Sequence, residues 1–227
     1  MLYGQICRIT KMLAGILDIP GIRSVWEEVF TDDKKYMDIM FSKIMPHCRS
    51  YIHKENNEVL SVASFMPMQF HSPFIAAPLN GWYMFGVATK EKARGSKLAA
   101  KLIAEITENL KSEGYDFIFE RPANQSLNNY YLKLGFSVPV KKQPIDFSQT
   151  AISAQQILKQ IRDHYPTRFE WQKPELLNSL LELGELEYHK TAAEQAAAEE
   201  SSYIAINVLG KHEKNLFNNC FFCFPME

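Results

Sequence analysis

The sequence predicts an α+β fold in which a mixed, mostly antiparallel sheet is flanked by helices. Three observations lead there. Residues 82–88 (WYMFGVA) are aromatic and β-branched with no proline, which suits a strand. A helical stripe and a second short strand at residues 115–120 follow. Strand, helix and strand in that order make a βαβ unit, whose strands are parallel neighbours. Residues 50–53 and 59–70 read as a hairpin around Asn56-Asn57, and a hairpin is antiparallel.

The remaining elements follow in chain order. Residues 5–10 predict a first strand. Ile19-Pro20 opens a helix, with proline near its first position and Ile22, Val25, Trp26 and Val29 on one face. Thr31-Asp32-Asp33 is a capping cluster for a second helix, striped by Tyr36, Met37, Met40, Phe41 and Ile44 and stopped by Pro46. After the strand at residues 82–88, the long helix begins near Arg94. Leu98, Leu102, Ile106 and Leu110 fall four apart with Ile103 beside them, and Gly114 is placed to cap. Leu127, Tyr130, Tyr131 and Leu134 define another helix ended by Gly135, and residues 137–140 a short strand.

The tail reads helix, strand, helix, strand, strand. Ser153 caps the first helix, which runs to His164; residues 168–172 are a strand; Lys173-Pro174 opens a helix with Leu176, Leu177, Leu180 and Leu181. The alanine-rich residues 192–198 extend that helix or loop out. Residues 203–209 alternate with Ile204, Ile206 and Val208 on one face, and residues 217–224 form a last strand.

The totals exclude several classes of function. The 227 residues suffice for one large domain or one domain plus a smaller one, and 46% apolar residues make a real core. The net charge of −1 argues against nucleic acid as a partner, which calls for a basic excess. No apolar run is long enough to span a membrane. The first 21 residues are broken by Arg8, Lys11 and Asp18 and do not read as a signal peptide, so a cytoplasmic protein is expected. Cys7, Cys48, Cys220 and Cys223 give neither a disulfide framework nor a zinc pattern and read as buried thiols. The six histidines, His164, His189 and His212 among them, show no metal spacing, and no metal is expected.

Residues 94–99 (Arg-Gly-Ser-Lys-Leu-Ala) form a small, basic entry to a helix directly after a strand. The first amides of a helix lack internal partners and carry its positive dipole end, which suits phosphate. This stretch resembles the phosphate turn of the GNAT superfamily of acyl-CoA-dependent N-acetyltransferases, Arg/Gln-x-x-Gly-x-Gly/Ala. Arg94 and Ala99 match, whereas Lys97 stands where the family usually has glycine. A second resemblance lies in Asn124, Tyr131 and Gly135-Phe136, which have the family's Asn, Tyr and Gly-Phe spacing. Together these cover roughly residues 5–140. The tail resembles the opening of another such unit without a phosphate turn, as in two-lobed acetyltransferases of the enhanced-intracellular-survival type. Residues 1–145 are therefore expected to be a GNAT-like acetyl-CoA-binding domain and residues 146–227 a partial GNAT-like lobe without a cofactor motif.

The resemblance implies the chemistry. Acetyl-CoA would be the acyl donor, lying between the strands at residues 82–88 and 115–120. Arg94, Gly95, Ser96, Lys97, Leu98 and Ala99 would hold the pyrophosphate through their amides, with Thr89 at the end of the preceding strand. The Val87 backbone N–H would stabilise the developing oxyanion. The amine would attack directly, without a covalent enzyme intermediate. Tyr131 is the candidate general acid for the thiolate, or a tyrosine packed at the edge of the core. Asn124 either bonds the pantetheine arm or caps a helix. Glu120, ending the second strand, is the nearest acidic candidate for a base, or a solvated or ion-paired strand end; an ordered water, or an amine already neutral on arrival, would also serve.

The leading expectation is acetyl transfer to the primary amine of a small molecule or peptide, with Glu27, Asp32 and Asp33 available to attract a cationic acceptor. A non-catalytic acyl-CoA-binding or assembly module is the alternative. Aminoacyl transfer from a charged RNA is a third reading, opposed by the near-neutral charge. Residues 221–224 (Phe-Phe-Cys-Phe) need cover, either by a sheet of the first lobe or across a homodimer.

Overall fold

The computed structural model describes residues 10–136, 138–141, 154–187, 203–211 and 214–217. The eight described strands form one sheet. They are β1 (Thr10–Leu13), β2 (Arg49–Glu55), β3 (Glu58–His71), β4 (Leu79–Thr89), β5 (Phe117–Glu120), β6 (Val138–Lys141), β7 (Arg168–Trp171) and β8 (Tyr203–Val208). Their order is β1-β2-β3-β4-β5-β8-β6, with β7 also paired to β3. Only β4 and β5 run parallel; every other pair is antiparallel. The expected mixed, mostly antiparallel sheet is therefore present.

Helices cover both faces. On one lie α1 (Ile19–Val29), α2 (Lys34–Ile39) and α6 (Pro174–Glu187), which contribute Ile22, Val25, Trp26, Met37, Leu176, Leu177, Leu180 and Leu183 to a core with Phe70, Phe117, Phe119, Phe169 and Phe217. On the other lie α3 (Leu98–Ser112) and α4 (Gln125–Leu132). Leu102, Ile103, Ile106, Leu110 and Tyr131 pack there on Trp82, Met84 and Ile118. A further helix, α5 (Ala154–His164), precedes β7. Its Arg162 and the Arg168 of β7 both bond the buried carboxylate of Glu170.

Local rules account for most boundaries. Pro20 sits in the first turn of α1, and Asp33 caps α2 by accepting the Tyr36 amide at 2.8 Å. The β2–β3 turn places Asn56 and Asn57 at φ of 50° and 66°, the left-handed pair that a tight hairpin requires. Gly114, at φ 85°, closes α3 with two capping bonds, Gly114 N–H to Lys111 O and Tyr115 N–H to Leu110 O.

Of the strand expected at residues 5–10, residues 5–9 lie outside the described residues, and the described strand is Thr10–Leu13. Among the described strands it pairs with β2 alone, and an edge strand tolerates a charged residue such as Lys11. One start differs from the sequence reading. The long helix begins at Leu98, not near Arg94. Residues 91–93 make a separate tight turn, and Lys97 is left-handed (φ 61°), so helical geometry cannot extend back through it.

The tail enters the same sheet. β8 lies between β5 and β6, and β7 pairs with residues 68–71 of β3, end to end with β2. Residues assigned from sequence to a partial lobe thus hydrogen-bond to both sides of the β3–β5 region. Residues 192–198, Cys7, Cys220, Cys223, His189, His212 and the apolar end at 221–224 lie outside the described residues. Cys48 is described: its thiol bonds the Ile44 carbonyl, and burial pushes its pKa up.

Candidate functional site

β4 and β5 are in register from Gly81 opposite Phe117 to Met84 opposite Glu120. There β5 stops and the chain turns toward α4, while β4 runs on to Thr89 along β3. The two parallel strands therefore part after Met84, and β4 alone edges the gap. Within that stretch the register on β3 slips: Val62 faces Ala88 but Ser64 faces Phe85, so Gly86 and Val87 together oppose Ala63. This is a β-bulge. Gly86 has φ 57°, and a Cβ there would meet the Trp26 ring of α1 at 2.0 Å. Only glycine fits on both counts. The bulge turns Val87 into the core shared with α3, α4 and Tyr131.

Beyond Thr89 comes the basic turn. The Lys90 amide bonds Leu60 O, Ala93 bonds Lys90 O and Arg94 bonds Glu91 O. The amides of residues 95–100 have no acceptor among the described residues. Gly95 has φ 81° and open space where a Cβ would stand. Arg94 and Lys97 are exposed, and neither has an ion-pair partner among the described residues. Lys97 N-caps α3 in the left-handed region, which explains why glycine suits this position and why lysine is strained here. Such a cluster of outward amides, one open glycine and two exposed cations fits a phosphate chain.

The gap's other wall is α4. Asn124 caps it, its Oδ1 accepting the Leu127 amide at 3.0 Å, so the capping role is realised. The Tyr-x-x-x-Gly-Phe spacing also has a local cause. Gly135 is left-handed (φ 95°), its amide bonds Leu132 O, and the Phe136 amide bonds Tyr131 O. The Tyr131 and Phe136 rings then meet edge to face at 5.6 Å. This cap fixes the place of Tyr131. It is 6% exposed, and burial first, then the Glu120 charge and those of Tyr130 and Tyr83, raise its phenol above the usual range. Tyr130 packs edge to face on it at 5.2 Å.

Glu120 departs from the solvated strand end. It is 3% exposed, its Oε1 has no hydrogen-bond partner among the described residues, and burial pushes its carboxyl up to about 9. Strand alternation puts it on the face of Ile118, toward α3 and α4. The expected acidic attractors are otherwise engaged: Glu27 pairs with Arg23 at 2.8 Å and Asp33 caps α2. Among the described residues no group of three or more His, Cys, Asp or Glu could hold a metal, and no helix is long and apolar enough to cross a membrane.

The structure thus gathers Val87, Glu120 and Tyr131 around the parted strands, with Thr89, Arg94, Gly95, Ser96, Lys97, Leu98 and Ala99 following along one edge. Sequence reading gave Gly86 no role and named Trp26 only as part of an apolar helix face. A glycine inside an otherwise aromatic strand was the available signal for a bulge.

Comparison with known proteins agrees with this layout. The chain is similar over 98% of its length to the GNAT family N-acetyltransferase YhbS of Escherichia coli, solved in complex with CoA; the match covers 91% of that chain at 14% identity with a TM-score of 0.56. A probable N-acyltransferase of Enterococcus faecalis matches over 59% of this chain and 33% of its own, at 15% identity and a TM-score of 0.50. No curated protein matched. The family model described as Acetyltransferase (GNAT) family matches residues 19–136, more than half of the sequence, and the chain belongs to that family.

Proposed function

We propose that the protein transfers an acetyl group from acetyl-CoA to a primary amine of a small molecule or peptide, by direct attack of the amine. The observation that carries this reading is the parting of β4 and β5 after Met84 and Glu120, directly before a turn with outward amides. The solved YhbS structure, similar in fold, holds CoA. Bound acetyl-CoA would supply the activated thioester.

The chain's own residues divide the remaining work. Amides of residues 95–100, with Arg94 and Lys97, hold phosphate groups. The Val87 N–H, presented by the bulge, stabilises negative charge on an acyl oxygen. Tyr131 stays protonated at any working pH, the form a proton donor to a thiolate requires. Glu120, in its ionised form, accepts a proton from the ammonium of the acceptor. Asn124, while its Oδ1 caps α4, keeps its side-chain amide N–H groups to bond the pantetheine arm.

Two variants test the reading together. Calorimetry is expected to show acetyl-CoA binding that Arg94→Glu weakens at least about tenfold, equivalent to 1.4 kcal/mol. Tyr131→Phe should keep that affinity and lose about 100-fold in turnover in an amine-acceptor screen. Absence of binding by the unsubstituted protein refutes the reading. Binding without turnover toward any amine favours the non-catalytic module, whose support is the strained Lys97 in the phosphate turn.

A further inference from the structure

The basic turn carries four cations, and they fall into two pairs. Arg94 and Lys97 point outward without carboxylate partners among the described residues. Lys90 and Lys92 instead pair with carboxylates of the protein. The Lys90 ammonium is 12% exposed and lies 3.1 Å from Glu58 Oε1 of β3, 3.2 Å from Ser24 Oγ of α1 and 3.8 Å from Glu28 Oε2 of α1. Lys92 also pairs with Glu58.

Glu28 does more than balance that charge. Its Oε1 accepts the backbone N–H of Glu91 at 2.7 Å, across 63 residues of chain. One carboxylate therefore holds a main-chain amide of the turn with one oxygen and approaches the preceding lysine with the other. The turn's inner amides at residues 90, 91, 93 and 94 are thereby all satisfied from within the protein. Those at residues 95–100 are left facing out.

We infer that Glu28 is a positioning residue for the phosphate-binding turn, tying it to α1 so that the outward amides are set before an anionic ligand arrives. This rests on the acetyl-CoA reading above. A pre-set turn avoids the ordering cost that a loose loop pays on binding. The same tie couples α1 to the ligand. α1 also carries Trp26, which packs into the Gly86 bulge, so the turn and the bulge share one rigid support. A ligand that orders the turn then orders α1, and reciprocally.

The test uses the full chain with Glu28→Ala and Glu28→Gln. Glutamine keeps an acceptor oxygen for the Glu91 amide; alanine removes it. Calorimetry with CoA is expected to show a dissociation constant raised about tenfold or more in Glu28→Ala and within about threefold of the original in Glu28→Gln. Hydrogen exchange without ligand should speed up across residues 90–94 in the alanine variant alone. CoA should slow exchange in α1 of the unsubstituted protein and lose that effect in Glu28→Ala. Unchanged affinity and unchanged exchange in Glu28→Ala overturn the proposal, as does an equal loss in both variants. If the unsubstituted protein binds no CoA, the functional reading fails separately. The exchange at residues 90–94 then decides the tie, and unchanged exchange in Glu28→Ala rejects it.

Discussion

Glu120 is the residue whose environment most departs from its type. A carboxyl with its Oε1 buried and unpartnered keeps its proton far above the usual range, to about 9. The folded protein holds that proton where the unfolded chain releases it above about 4.5, so stability falls as pH rises through this window. The slope is about 1.4 kcal/mol per pH unit for a group fully protonated in one state and ionised in the other. Urea midpoints measured from pH 5 to 9 should fall steadily, and Glu120→Gln should remove this part of the slope while raising stability at pH 8. As a base, the same group predicts a kcat/KM that climbs about tenfold per unit up to pH 9. Lys97 holds the opposite kind of strain, in the backbone. Lys97→Gly relieves a left-handed lysine and is expected to raise unfolding stability by about 0.5–1 kcal/mol in a urea titration. Neither feature was legible in the sequence. The sequence places Glu120 at a strand end, where solvent is the default, and the strand that pairs beside it at Ala205, β8, arrives from the far tail of the chain. Tyr131 was legible because its motif is local: the Gly-Phe that marks it also builds the cap that fixes it.

At the level of elements, the bulged end of β4 organises the site. Its glycine answers to two demands, a positive φ and an indole ring in contact. Gly86→Ala is expected to cost about 2–5 kcal/mol from overpacking and left-handed strain together. Trp26→Phe in the same background should recover part of that loss by thermal denaturation, because only the clash is relieved. The βαβ unit, the hairpin and the caps at Asp33, Gly114 and Gly135 follow from periodicity and turn chemistry, and the sequence carries all of that locally. The start of α3 does not. A basic, glycine-bearing stretch reads as helix entry anywhere between Arg94 and Leu98, and the left-handed Lys97 that sets the boundary is a choice of tertiary structure.

For the molecule as a whole, the arrangement of strands matters more than their count. β5 is paired on one side by β4 and on the other by β8, which comes from the tail. A chain cut after residue 145 would leave β5 with an open edge and β6 with no neighbour among the described strands. Such a truncation is expected to aggregate or to lack a cooperative unfolding transition, as circular dichroism and size-exclusion chromatography would show. A soluble, cooperatively folded fragment of residues 1–145 would instead mean that the tail is dispensable to the sheet. The sequence could not reveal this join. Pairing between strands distant in the chain leaves no local pattern, and the tail's helix–strand order reads equally well as a separate unit.

The same join has a consequence for how the protein is made. Glu120 pairs with Ala205, so 85 residues must be synthesised after β5 before its second neighbour exists. At ribosomal rates of about 5–20 residues per second, that is a delay of roughly 4–17 s. During it the nascent chain presents Phe117, Ile118 and Phe119 on a strand that has a partner on one side only. Any partner that shields that edge until translation has passed β8 would favour folding over aggregation.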